Sequence, residues 1–170
     1  MKELVEFAKA NGLTVSACES LTAGLFMASV AEVPGASAVL QGGFVTYSAQ
    51  LKEKLAGVDA SIIEKHGVVS AECATAMAEG TRIRTNTDYS VSFTGNAGPD
   101  TLEGKPAGLV YCAVAGKDNI HPYKFQYHGL ERNELRKQLV ADMACRLLEI
   151  MKEEINGHKE TDSGKTSGQG

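Results

Sequence analysis

Apolar positions recur every three to four residues in KELVEFAKAN, Lys2 to Asn11, which predicts an amphipathic helix stopped by Gly12. Leu13–Cys18 reads as a strand, and Thr22–Glu32 as an apolar helix cut off by Pro34-Gly35. β-type residues return over Val39–Tyr47, with Gly42-Gly43 marking a bend or bulge. Ser48, Asp59 and Ser70 each precede a helical run, through Leu55, Lys65 and Arg84 in turn. In the third run Ala74, Met77, Ala78 and Ile83 form an apolar stripe. Asp88–Phe93, Leu109–Val114 and Ile120–Tyr127 are predicted strands, the last two a hairpin. Glu131–Ile155 is predicted as the last helix, with Leu135, Leu139, Met143 and Leu147 at four-residue steps. Helices interleaved with strands in this order predict an α/β fold, a three-layer α/β/α sandwich on a mixed sheet of about five strands.

The chain has 170 residues, 43% hydrophobic and 22% charged, which fits one globular domain with a real core. That domain is expected over residues 1–156. The polar stretch 157–170, without an aliphatic or aromatic side chain, is expected to be a disordered tail. A net charge of −4 and the absence of a basic stripe argue against nucleic acid as a partner. No apolar run approaches the roughly 18 residues that span a bilayer, and the amphipathic N-terminus does not resemble a signal peptide. A cytoplasmic protein without membrane contact is expected. Cys18, Cys73, Cys112 and Cys145 form no CxxC pair and are expected as buried free thiols. His66, His121, His128 and His158 lack ligand spacing, so no metal site is expected.

Three stretches could carry chemistry. Ser20, in ESLTAG, falls where a strand gives way to a helix, near N–H groups able to hold an anion or oxyanion. The competing reading makes Ser20 or Thr22 a plain N-cap. The glycine two places before the serine that an α/β-hydrolase elbow requires is missing. In TYSAQLK, Lys52 follows Ser48 by about one turn. A lysine activates a serine only when neutral, and a solvated helix lysine is the alternative. The loop TGNAGPDTLEGKPAG, Thr94 to Gly108, is too long and glycine-rich for a simple connection, yet it is not a P-loop. Arg132 and Arg136 stand one turn apart and could clamp a phosphate or carboxylate, or make surface ion pairs.

Taken in order, ESLTAG, VPGASAVLQGGFVTYSAQLK, GVVS and FTGNAGPD with KPAGLVY resemble the C-terminal domain family of CinA over roughly Met1 to Glu154. Stand-alone members of that family resemble nicotinamide-nucleotide amidases. The resemblance implies hydrolysis of nicotinamide mononucleotide to nicotinic acid mononucleotide and ammonia, without a cofactor. It implies Ser20 as nucleophile, Lys52 as the activating base, and Tyr47 as an aid to proton transfer or positioning. Thr22, Gly24, Gly42, Gly43, Thr94, Gly95, Gly98, Arg132 and Arg136 become the expected substrate contacts, and a homodimer or larger homo-oligomer the expected assembly. The chain departs from the family pattern at Ala23, where a glycine is usual, at Ala49, where asparagine is common, at Asn96, and across Thr101-Leu102-Glu103. A catalytically weak nucleotide-binding or interaction module linked to competence and recombination is the alternative. A serine amidase acting on another small amide is a third reading.

Overall fold

The computed structural model describes residues 1–163, with side chains through Gly157. Five strands form one sheet in the order β2-β1-β3-β4-β5: β1 (Val15–Glu19), β2 (Leu40–Val45), β3 (Tyr89–Gly95), β4 (Leu109–Ala115) and β5 (Ile120–Gln126). β1 pairs parallel with both β2 and β3, while β4 and β5 continue antiparallel. The sheet is therefore mixed, as the element order predicts. α1 (Lys2–Ala10), α2 (Leu25–Ala31) and α6 (Arg132–Ser163) cover one face, and α3 (Ala49–Ala56), α4 (Ala60–His66) and α5 (Ala71–Thr85) cover the other.

Strand alternation explains why the two faces differ. Val15 and Ala17 of β1, with Tyr89, Val91 and Phe93 of β3, join Leu135, Leu139, Met143 and Leu147 of α6 in the larger core. Ser16, Cys18, Ser90 and Ser92 point the other way, toward α5. There Cys18 joins Cys73 and Met77 in a smaller cluster, and Ser92 Oγ donates to the Ala74 carbonyl (2.6 Å). The bend expected at Gly42-Gly43 is a register shift, because Val15 faces Leu40 while Ser16 faces Gly42. A Cβ on Gly43 would lie 2.0 Å from the Ala17 carbonyl oxygen, so only glycine allows the strands to pair there.

Caps fall where the sequence signals them. Ser48 accepts from Leu51 N, Asp59 from Ser61 N, and Ser70 from Cys73 N. Four expectations need correction. Ile83 is 61% exposed, and Thr81 takes its place on the buried side of α5. Cys145 is exposed on α6 among polar neighbours, unlike the other three thiols. The α2 helix begins only at Leu25, after the turn Leu21–Gly24. The last helix, expected over Glu131–Ile155, is observed as Arg132–Ser163. Residues 164–170 of the expected tail lie outside the described residues.

Candidate active site

β1 is the topological switch point of the sheet. The chain leaves it through α2 to β2 on one side, and returns through α3, α4 and α5 to β3 on the other. Crevices at the carboxyl ends of such strands are where open α/β sheets bind ligands. Here a cavity of about 190 Å³ opens at that end, lined by Ser20, Leu21, Tyr47, Gly95, Asn96, Ala97, Asp100, Thr101, Leu102 and Arg132.

Ser20 follows the last residue of β1, and its N–H donates to the Phe93 carbonyl (3.0 Å), which fixes it to β3. Lys52 comes from α3 and lies behind Ser20, without lining the cavity itself. It is only 2% exposed, and its Nζ donates to the Thr46 carbonyl (2.8 Å) and to Ser20 Oγ (3.0 Å). Burial lowers the pKa of this lysine, because desolvation penalises the ammonium form. Three groups oppose that shift through their charge, the thiols of Cys73 and Cys18 and the carboxylate of Glu103, and burial outweighs them. Burial pushes both thiols up, Cys73 to about 11, so neither is a thiolate at neutral pH. No carboxylate is hydrogen-bonded to Nζ, whose two acceptors are neutral oxygens.

The turn between β1 and α2 overturns the N-cap reading of ESLTAG. Neither Ser20 nor Thr22 caps α2. Glu19, buried beneath the turn, accepts from Gly24 N (2.9 Å), Phe26 N (3.1 Å) and Met27 N (2.9 Å). A carboxylate satisfies the positive end of the helix, so these donors are not open to a substrate anion. Gly24 is thus a turn residue in the left-handed region (φ 95°), with its N–H taken by Glu19. Ala23 adopts φ 48° beside it, a conformation that costs a side chain strain and glycine none. Among the described residues, the N–H groups of Leu21 and Thr22 donate to no backbone carbonyl.

The other expected contacts divide. Arg132 lines the cavity mouth, donating through Nη1 to the Gly98 carbonyl (2.8 Å) and through Nη2 to Tyr47 Oη (2.8 Å). Tyr47 and Gly95 also line the cavity. Gly98 sits just beyond Arg132 in an adjoining cavity of about 340 Å³. Arg136 is spent on the fold: Nε donates to the Leu21 carbonyl and Nη2 to the Thr22 carbonyl, both at 2.8 Å. Thr22 is fully buried with its hydroxyl unpartnered, and Thr94 is buried with its hydroxyl donating to the Val68 carbonyl (2.6 Å). Gly42 and Gly43 lie inside β2, behind the strand end that meets the cavity. Thr22, Gly42, Gly43, Thr94 and Arg136 therefore support the site from behind without lining it.

Sequence reasoning missed Glu19 and the internal wiring of the long loop. Asn96, buried, accepts from Leu102 N (3.0 Å) and donates to the carbonyls of Leu102 (3.2 Å) and Lys105 (3.0 Å). Glu103 accepts from Val68 N (2.6 Å) and Val69 N (3.1 Å), while Lys105 donates to Glu103 (3.0 Å) and to the Val69 carbonyl (2.5 Å). The loop is thus a strapped wall of the cavity. A buried-amide signal was present at Asn96, in a place the family pattern fills with an apolar residue. Among the described residues no three His, Cys, Asp or Glu side chains gather as a metal-binding group.

A family model described as the CinA C-terminal domain matches residues 1–151. The chain is 48% identical over 134 residues to a competence-damage inducible protein of Streptococcus thermophilus, covering 79% of this chain and 32% of the relative. With a relative of that name in Listeria welshimeri it shares 49% over 129 residues, covering 75% and 31%. The chain thus spans about a third of the length of the curated relatives it matches. Among solved structures, a CinA superfamily protein of Klebsiella pneumoniae superposes with a TM-score of 0.86 at 25% identity, covering 89% of this chain and 95% of that one. The competence/damage inducible protein CihA of Agrobacterium tumefaciens superposes with a TM-score of 0.78 at 32% identity, covering 89% and 93%.

Proposed function

We propose that this chain, which belongs to the CinA C-terminal domain family, is an amidohydrolase that converts nicotinamide mononucleotide to nicotinic acid mononucleotide and ammonia. The observation that carries the reading is the 3.0 Å approach of a buried Lys52 Nζ to Ser20 Oγ, the serine itself lining an open cavity. A serine hydroxyl beside a neutral amine is an activated nucleophile. In the resting enzyme the neutral amine accepts the Ser20 proton along that 3.0 Å line as Oγ bonds to the carboxamide carbon. The charge developing on the amide oxygen is met by backbone donors next to the nucleophile. The N–H groups of Leu21 and Thr22 are suited to this, since they bond to no carbonyl of the described chain. The protonated Lys52 then gives its proton to the departing nitrogen, which leaves as ammonia. Water enters, again deprotonated by Lys52, and releases the carboxylic acid from Ser20.

Arg132 supplies the charge at the cavity mouth. Its two present acceptors, a carbonyl and a phenol, are neutral, so a phosphate can take their place with a net electrostatic gain. Tyr47 is a support for Arg132 in this reading, because its hydroxyl bonds that guanidinium. The test compares ammonia release from nicotinamide mononucleotide, nicotinamide riboside and nicotinamide. The mononucleotide is expected to exceed the riboside in kcat/KM by about 10- to 100-fold, the scale of a charge-assisted contact. Arg132→Ala should remove most of that margin through KM, with little change in Tm. Equal turnover with and without the phosphate contradicts the nucleotide assignment, and no ammonia from any of the three contradicts the amidase.

A further inference from the structure

Three charged side chains matter to the cavity: Lys52, which reaches it through Ser20, and Arg132 and Asp100, which line it. The first two have partners. Among the described residues Asp100 has none, no hydrogen bond and no cation, and it is exposed to the cavity solvent. A lone carboxylate is out of place beside a site for an anionic mononucleotide, because it repels phosphate. It suits a substrate that also carries a fixed positive charge away from the phosphate. The ring of nicotinamide mononucleotide is such a group: its nitrogen is quaternary and cationic at every pH.

Asp100 is also anchored on its C-terminal side, where Asn96 Oδ1 accepts from Leu102 N (3.0 Å), and it lines the cavity beside Thr101 and Leu102. Ser20 lines the same cavity, so a ring whose carboxamide reaches Ser20 lies within it together with the Asp100 carboxylate. Arg132, which lines the same cavity, answers the phosphate end, so the lining offers one cation and one anion to a substrate that carries both charges.

We propose that Asp100 is a specificity-determining residue that selects amides attached to a cationic aromatic ring by acting as the counter-ion of that ring. The proposal rests on the amidase reading above and adds the charge class of the ring. The probes are nicotinamide mononucleotide and its benzamide C-nucleotide, in which carbon replaces the ring nitrogen and the ring is neutral. In the wild-type protein, ammonia release from the mononucleotide is measured first, then kcat/KM for both probes in wild type, Asp100→Asn and Asp100→Glu. The ratio of the cationic to the neutral probe is expected to fall about fivefold in Asp100→Asn, the scale of one solvent-screened charge pair. It should be retained in Asp100→Glu. Raising the ionic strength should lower the ratio in wild type and leave it flat in Asp100→Asn. A merely structural Asp100 would lower both rates together, and an unchanged ratio in Asp100→Asn with wild-type turnover intact overturns this proposal alone. No ammonia from the wild-type protein overturns the amidase reading and this one with it.

Discussion

At the scale of the residue, the site turns on the protonation of one lysine. Burial lowers the Lys52 pKa from its ordinary 10.5, so the pH range below that value divides in two. Between the lowered value and that of the unfolded chain, the unfolded state binds a proton that the folded state does not. Stability therefore rises with pH through that window and is lowest beneath it, where the folded chain must hold a buried ammonium. Activity runs the same way: kcat/KM should climb with pH through the Lys52 titration, because only the free amine takes the Ser20 proton. Lys52→Met should abolish ammonia release and yet raise Tm by about 3–6 °C near pH 6, with a smaller gain at pH 9. Thermal melts at the two pH values check this. A Tm lowered equally at both would mean that Lys52 is a structural tether and not a desolvated base.

At the scale of the element, the β1–α2 turn holds Ser20, the proposed nucleophile, and Glu19 holds the turn. Its carboxylate takes three N–H groups of the α2 start, while Arg136 fixes the carbonyls of Leu21 and Thr22 from α6. Glu19→Gln presents an amide to donors that need an acceptor, and should cost about 2 kcal/mol in denaturant unfolding. It should lower kcat more than it raises KM, since Ser20 shifts while Arg132 stays in place. A drop confined to stability would separate the cap from the chemistry. Much at this scale was legible. Leu13–Cys18 and Asp88–Phe93 were legible as strands, though their burial on both faces was not, and Ser48, Asp59 and Ser70 announced their helices. Glu19 was not legible as a cap, because the residue that satisfies α2 sits at the end of the preceding strand and reaches forward over a turn. Ile83 misled for a related reason: helical spacing names a stripe but does not say which edge of it meets the sheet.

At the scale of the whole molecule, Ser20 and Lys52 are separated by α2, the 3-10 turn Ala36–Ala38 and β2, and meet because β1 and β2 are parallel neighbours. Their carboxyl ends then lie side by side. Ser20 continues the parity of Ser16 and Cys18, toward the face from which α3 sends Lys52. Order and parity could have predicted that meeting, but the roles of the pair came from resemblance to a family, since neither residue is unusual in its local sequence. The nine positions expected to touch substrate divide between the cavity lining and the structure behind it for a physical reason. Sequence motifs mix residues that line a cavity with those that keep its walls in place, and Thr22, Thr94 and Arg136 are of the second kind. Among the described residues no helix is long and apolar enough to cross a membrane.

The central claim, a serine nucleophile served by a neutral buried lysine, is tested most directly by ammonia release from nicotinamide mononucleotide in wild type, Ser20→Ala and Lys52→Met, each shown to be folded by its melting transition. The account predicts release by the wild-type protein and a loss of about a thousandfold or more in both variants. Release that survives in folded Ser20→Ala would contradict it.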